Sequence, residues 1–138
     1  MRKILIATHG QFAKGMLSAG EIIVGKKNNV TCLNAYSDVK NVKETIDAYF
    51  ASLSPNDQVI ILTDIFGGSV NQMLMPYTQK SNVYLITGVN LAMLLEILMI
   101  EEDTTIDENL LREIVCNGQK QVMYVNDVLK NNQNDDFE

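Results

Sequence analysis

The sequence predicts an α/β fold, an open parallel sheet of order 2-1-3-4 with helices on both faces. Two patterns within its 138 residues predict it. Short apolar runs of β type recur at residues 3–7, 30–34, 58–63 and 82–87. The stretches between them change to helical spacing, so strand and helix alternate, and right-handed crossovers then cover both faces.

The first run, Ile4-Leu5-Ile6-Ala7, ends at Thr8-His9-Gly10, and His9 is the only histidine. Phe12, Met16, Ala19 and Ile23 follow at helical spacing, and after the second run Val42, Ile46, Tyr49 and Leu53 repeat it. The third run, Val59-Ile60-Ile61-Leu62, ends in Thr63-Asp64 and passes through Ile65-Phe66 into Gly67-Gly68-Ser69, which reads as a helix start. Val70, Met73, Leu74 and Tyr77 extend that helix, which Pro76 must kink or shorten because it has no amide hydrogen. The fourth run leads through Thr87-Gly88-Val89-Asn90 to the stripe Leu91, Leu94, Leu95, Leu98 and Met99. Leu110, Leu111, Ile114 and Val115 predict another helix, with Asp107 as its cap and Gly118 as its stop. Beyond it, Val122, Tyr124, Asn126 and Val128 alternate with Met123, Val125, Asp127 and Leu129. This segment reads as a terminal strand or a last helical turn. A strand there has its own sheet edge or a second protomer's to pair with.

The composition, 46% hydrophobic and 20% charged, is that of a soluble globular domain. No apolar stretch approaches the roughly 20 residues that span a bilayer, and the short run after Met1 is no signal peptide, so cytoplasmic residence is expected. Net charge is -6, and residues 131–138 hold three acids and no base, leaving 11 bases against 14 acids elsewhere. Such a chain offers nucleic acid no basic footprint. The domain is placed at residues 1–129 and an acidic, disordered tail at 130–138. Cys32 and Cys116 sit in apolar surroundings far apart in sequence, so both are expected as buried free thiols. One histidine and scattered acids give no metal-ligand spacing, and the glycine loop fits neither the P-loop nor the dinucleotide fingerprint; no metal or cofactor is expected.

In open parallel sheets, ligands bind beyond the carboxyl ends of the strands, where the strand order reverses. With an order of 2-1-3-4 the reversal lies between strands one and three, about 4.8 Å apart, which brings His9 and Asp64 within side-chain reach. A carboxylate that accepts one imidazole N–H fixes the tautomer and frees the other nitrogen as a nucleophile. Gly67, Gly68 and the Ser69 hydroxyl, at a helix start, are placed to hold phosphoryl oxygens. Gly10 leaves room beside the ring. Thr8 and Thr63 flank the two key residues and are expected to tune their hydrogen bonds.

Three motifs in order, Ile6-Ala7-Thr8-His9-Gly10, Asp64-Ile65-Phe66-Gly67-Gly68-Ser69 and Gly88-Val89-Asn90-Leu91-Ala92-Met93-Leu94-Leu95-Glu96, resemble the IIA component of the mannose-type bacterial sugar phosphotransferase system. The likeness runs from Met1 to about Val128. It implies that the histidine-containing phosphocarrier protein phosphorylates His9. His9 then passes the group to a histidine on a IIB component, which phosphorylates a sugar crossing the membrane through IIC and IID. It also implies that Asp64 hydrogen-bonds the other ring nitrogen, that the Gly-Gly-Ser segment lies beside the phosphoryl group, and that the protein is a homodimer whose C-terminal antiparallel strand crosses to its partner's sheet.

Two positions depart from the family pattern. Val70 stands where proline is frequent, and Phe66 where tryptophan is frequent. The end of the chain soon after residue 128 implies a separate IIA polypeptide and not a IIA–IIB fusion. Two alternatives compete: the phosphotransfer subunit of a dihydroxyacetone kinase, and a regulatory module whose phosphorylated His9 is read by another protein.

Overall fold

The computed structural model describes residues 1–136. Its sheet has four parallel strands in the order β2-β1-β3-β4, as the sequence predicts. They are β1 (Arg2–His9), β2 (Val30–Ala35), β3 (Gln58–Thr63) and β4 (Val83–Ile86). Because successive strand residues face opposite sides, Ile4, Ile6, Ile60 and Leu62 enter one core, while Leu5, Ala7, Val59 and Ile61 enter the other. Each of these eight is at most 1% exposed, so the sheet is covered on both sides. The first core is closed by α1 (Phe12–Val24), α4 (Leu91–Leu98) and α5 (Glu108–Gln119). The second is closed by α2 (Val42–Ala51) and α3 (Ser69–Leu74). Full burial of one Ile or Leu side chain stabilises by about 1.5–3 kcal/mol, so the central strands anchor the fold.

Pro76 acts as expected. The helix of α3 stops at Leu74, and a 3-10 turn, Met75–Gln79, carries the chain to β4. Asp107 caps α5, accepting the Leu110 amide at 2.8 Å.

The helix faces differ from the sequence reading. In α1 the buried residues are Ala13, Met16 and Gly20, whereas Phe12 and Ile23 are exposed. In α4 they are Met93, Leu94, Ile97 and Leu98, with Met99 exposed. Both rotations have one cause, since α4 packs between two glycines. Leu94 and Leu98 press on Gly20, and Met93 presses on Gly118 so closely that a Cβ there would overlap its side chain. Gly118 is therefore a packing residue inside α5, not its stop. The cysteines are free, but Cys32 is half-buried and Cys116 exposed. The half-burial of Cys32 pushes its thiol up to about 11.

In this single chain the C-terminal segment takes the helical one of its two sequence readings, not the strand that the resemblance implies. Val125–Asp136 form a helix, α6, which crosses the expected boundary after residue 129; residues 137–138 lie outside the described residues. Residues 121–132 are all exposed. A lone strand with no neighbour leaves its amides and carbonyls unpaired, whereas a helix satisfies them locally. Within one chain the segment therefore takes the helix.

Candidate active site

The site lies at the carboxyl ends of β1 and β3, where the strand order reverses. In-register pairing carries Ala7 opposite Thr63, so the next residues of both strands emerge side by side. His9 and Asp64 meet there. The His9 ring Nδ1 lies 3.0 Å from Asp64 Oδ2, and the His9 backbone amide donates to the same oxygen at 2.9 Å. The other carboxylate oxygen accepts the Ile65 amide at 3.0 Å. Burial pushes the Asp64 carboxyl up, but the hydrogen bonds from the His9 amide and ring and from its own backbone outweigh that and hold it below the ordinary aspartate range. An ionised carboxylate only accepts, so the proton it shares sits on Nδ1 and the lone pair on Nε2. The Asp64 side chain is 9% exposed and that of His9 40%: the orienting group is sheltered and the ring is open.

Glycines shape the space around the ring. Gly10 (φ 57°) turns the chain away directly after His9, and Gly67 (φ 78°) turns it before α3. A Cβ on Gly68 would stand 3.3 Å from His9 Cε1, so glycine lets the loop lie against the imidazole. Ser69, next to Gly68 and the first residue of α3, is exposed.

Thr8 and Thr63 lie elsewhere. Both are 0% exposed. The Thr8 hydroxyl accepts the Ala13 amide at 2.7 Å and so fixes the start of α1. The Thr63 hydroxyl lies 3.0 Å from Asn71 Oδ1 and ties α3 to β3. They support the loops from beneath the open side of the ring. The Gly88-Val89-Asn90 motif is also a brace. Gly88 turns with φ 72°, the Val89 amide donates to the Thr63 carbonyl at 3.1 Å, and Asn90 caps α4 while donating to the Gly118 carbonyl.

Sequence reasoning missed Tyr36, just past β2. Its ring centroid is 5.8 Å from that of His9, tilted by 31°. Its hydroxyl is 2.8 Å from Ser69 Oγ. Its φ of 65° is left-handed, a conformation that costs a non-glycine residue on the order of 1–2 kcal/mol. The signal that could have found it is the strand order, because β2 borders β1 and its closing loop must lie beside His9. Exposed apolar side chains surround the same end: Phe12 at the start of α1, and Ile65 and Phe66 in the Asp64 loop. Such a rim suits a protein partner more than a small polar molecule.

The chain is similar to known proteins in sequence and in fold. The family model described as the PTS system fructose IIA component matches residues 3–115. The mannose-specific EIIAB component of Escherichia coli K12 is 32% identical over 123 residues, 86% of this chain and 38% of that protein. The chain thus spans about two fifths of the length of the curated relatives it matches. Among solved structures, a Klebsiella pneumoniae protein provisionally described as a phosphoenolpyruvate-dependent sugar phosphotransferase permease superposes with a TM-score of 0.85 at 32% identity, covering 93% of both chains. The PTS IIA protein associated with the fucose utilization operon of Streptococcus pneumoniae gives 0.79 at 31% identity, covering 93% of this chain and 96% of that one.

Proposed function

Since the chain belongs to the fructose/mannose IIA family of the sugar phosphotransferase system, we propose that it is a phosphoryl carrier that takes the group on His9 Nε2. The observation that carries this reading is the 3.0 Å contact between Nδ1 and a sheltered Asp64, beside an open ring face. In the forward step the Nε2 lone pair attacks the phosphorus of a phosphohistidine on the donor, the histidine-containing phosphocarrier protein. The donor's P–N bond breaks, its ring nitrogen keeps the bonding pair, and the positive charge that develops on the His9 ring is countered by Asp64 through Nδ1–H. The second transfer, to a histidine of a IIB component, repeats the step in reverse roles. Histidine-to-histidine transfer is near isoenergetic, so the protein aligns and shields the group more than it drives the reaction.

Gly67, Gly68 and Ser69 are the proposed cradle for the phosphoryl oxygens. Gly68 admits the group beside the ring, and the Ser69 hydroxyl donates to it. The exposed Phe12, Ile65 and Phe66 form the surface on which donor and acceptor dock in turn. The reading places the protein in the cytoplasm, linked to membrane IIC and IID only through IIB, with no cofactor and no nucleic-acid partner. Among the described residues no helix is long and apolar enough to cross a membrane. The IIA match favours the sugar system over a dihydroxyacetone kinase subunit.

A homodimer belongs to the same proposal. Among the described residues strand β4 pairs only with β3, and Val122, Met123, Tyr124, Val125 and Leu129 are each more than half exposed. That apolar segment, residues 122–128 of the IIA domain at 1–129, gains a partner if it crosses to the free sheet edge of a second copy.

The test is intact-mass measurement after mixing the protein with phosphoenolpyruvate, Enzyme I and the phosphocarrier protein. One acid-labile phosphoryl group on the wild type and none on His9→Ala is expected. A folded wild type left unmodified by an active donor would overturn the reading.

A further inference from the structure

We infer that Tyr36 is a positioning residue for phosphoryl transfer, setting the direction of the Ser69 hydroxyl beside His9; the inference rests on the carrier reading above. A serine hydroxyl rotates freely and can donate or accept. Here it lies 2.8 Å from the Tyr36 hydroxyl. With Tyr36 donating to Ser69 Oγ, the serine's own hydrogen is left to point at a phosphoryl oxygen, and the relay strengthens that donation. The opposite arrangement would turn the serine hydrogen away from the ring, and an incoming anionic oxygen selects against it.

The tyrosine is built into place, not simply nearby. Its left-handed backbone is held by its amide donating to the Val39 carbonyl at 2.9 Å. The loop that carries it is pinned at Asp38, which accepts Asn34 Nδ2 at 2.8 Å and Gln11 Nε2 at 2.9 Å. Those hydrogen bonds hold the Asp38 carboxyl below its ordinary value. The Gly10 amide closes the loop against β1 by donating to the Ala35 carbonyl at 2.9 Å. A side chain more than half exposed adds little to the core, so a strained backbone held this firmly points to a use at the site.

Tyr36→Phe, Ser69→Ala and the double variant are phosphorylated in a rapid-quench assay with the phosphocarrier protein as donor. Tyr36→Phe keeps the ring and the backbone, so its melting temperature should equal the wild type's. Its transfer rate constant should fall about 3- to 10-fold, the loss of one hydrogen bond, with KM for the donor within about twofold. The double variant should be no slower than Ser69→Ala alone, because the tyrosine acts through the serine. Wild-type speed in Tyr36→Phe, or losses that multiply in the double variant, would overturn the inference while leaving the carrier reading intact. An unphosphorylated wild type would overturn both.

Discussion

Two apolar-rimmed regions of this molecule stand in contrast. At the carboxyl ends of β1 and β3, the polar groups that orient the chemistry find their partners inside one chain: His9 Nδ1, the His9 amide and the Ile65 amide all converge on Asp64. At the other, residues 121–132 are all exposed, with Val122, Met123, Tyr124 and Leu129 open to solvent. In the reading proposed above, the chemistry needs one protomer, whereas the exposed C-terminal segment gains its neighbour from a second.

Asp64→Asn strikes the contrast hardest. The amide no longer fixes the imidazole tautomer as a carboxylate does, and phosphoryl transfer should slow by at least about 10- to 100-fold, the cost of losing the partner that orients a metal-bound histidine. Circular dichroism and the melting curve should stay close to wild type, because the core lies beneath this loop. A variant that transfers at full speed would remove Asp64 from the account.

Gly68→Ala tests how closely the loop must lie. The added methyl would stand 3.3 Å from His9 Cε1, so ring or loop must give by a few tenths of an ångström. A displacement of that size should cost about 3- to 10-fold in rate without changing the donor's KM. An unchanged rate would mean that the ring tolerates far more freedom than the cradle implies.

The smallest expected effect on chemistry comes from deleting residues 121–138. The proposed homodimer predicts that sedimentation shows a dimer for the 138-residue chain and a monomer after the deletion, while His9 phosphorylation stays within about twofold, as for changes remote from a site. A collapse of transfer on truncation would break the contrast and bring the second copy into the site.

The contrast also explains what the sequence made legible. His9 and Asp64 could be paired because each ends an apolar run, and strand order alone decides whether neighbouring strand ends meet. Pro76 ended a helix for a purely local reason. Tyr36 was hidden because nothing in Ala35-Tyr36-Ser37-Asp38 marks it, and its role exists only once β2 lies beside β1. The faces of α1 and α4 were misjudged by about one residue because Gly20 and Gly118, which carry no apolar signal, decide where α4 packs. The strand expected over residues 122–128 needs a neighbouring edge, so in an isolated chain local helix hydrogen bonding wins.

The most direct test of the central claim is nitrogen-15 NMR of the phosphorylated protein, assigning the ring nitrogen that bears phosphorus. The Asp64 contact to Nδ1 predicts phosphorus on Nε2, with a proton retained on Nδ1. Phosphorus on Nδ1 would mean that Asp64 does not orient the nucleophile, and would contradict the account.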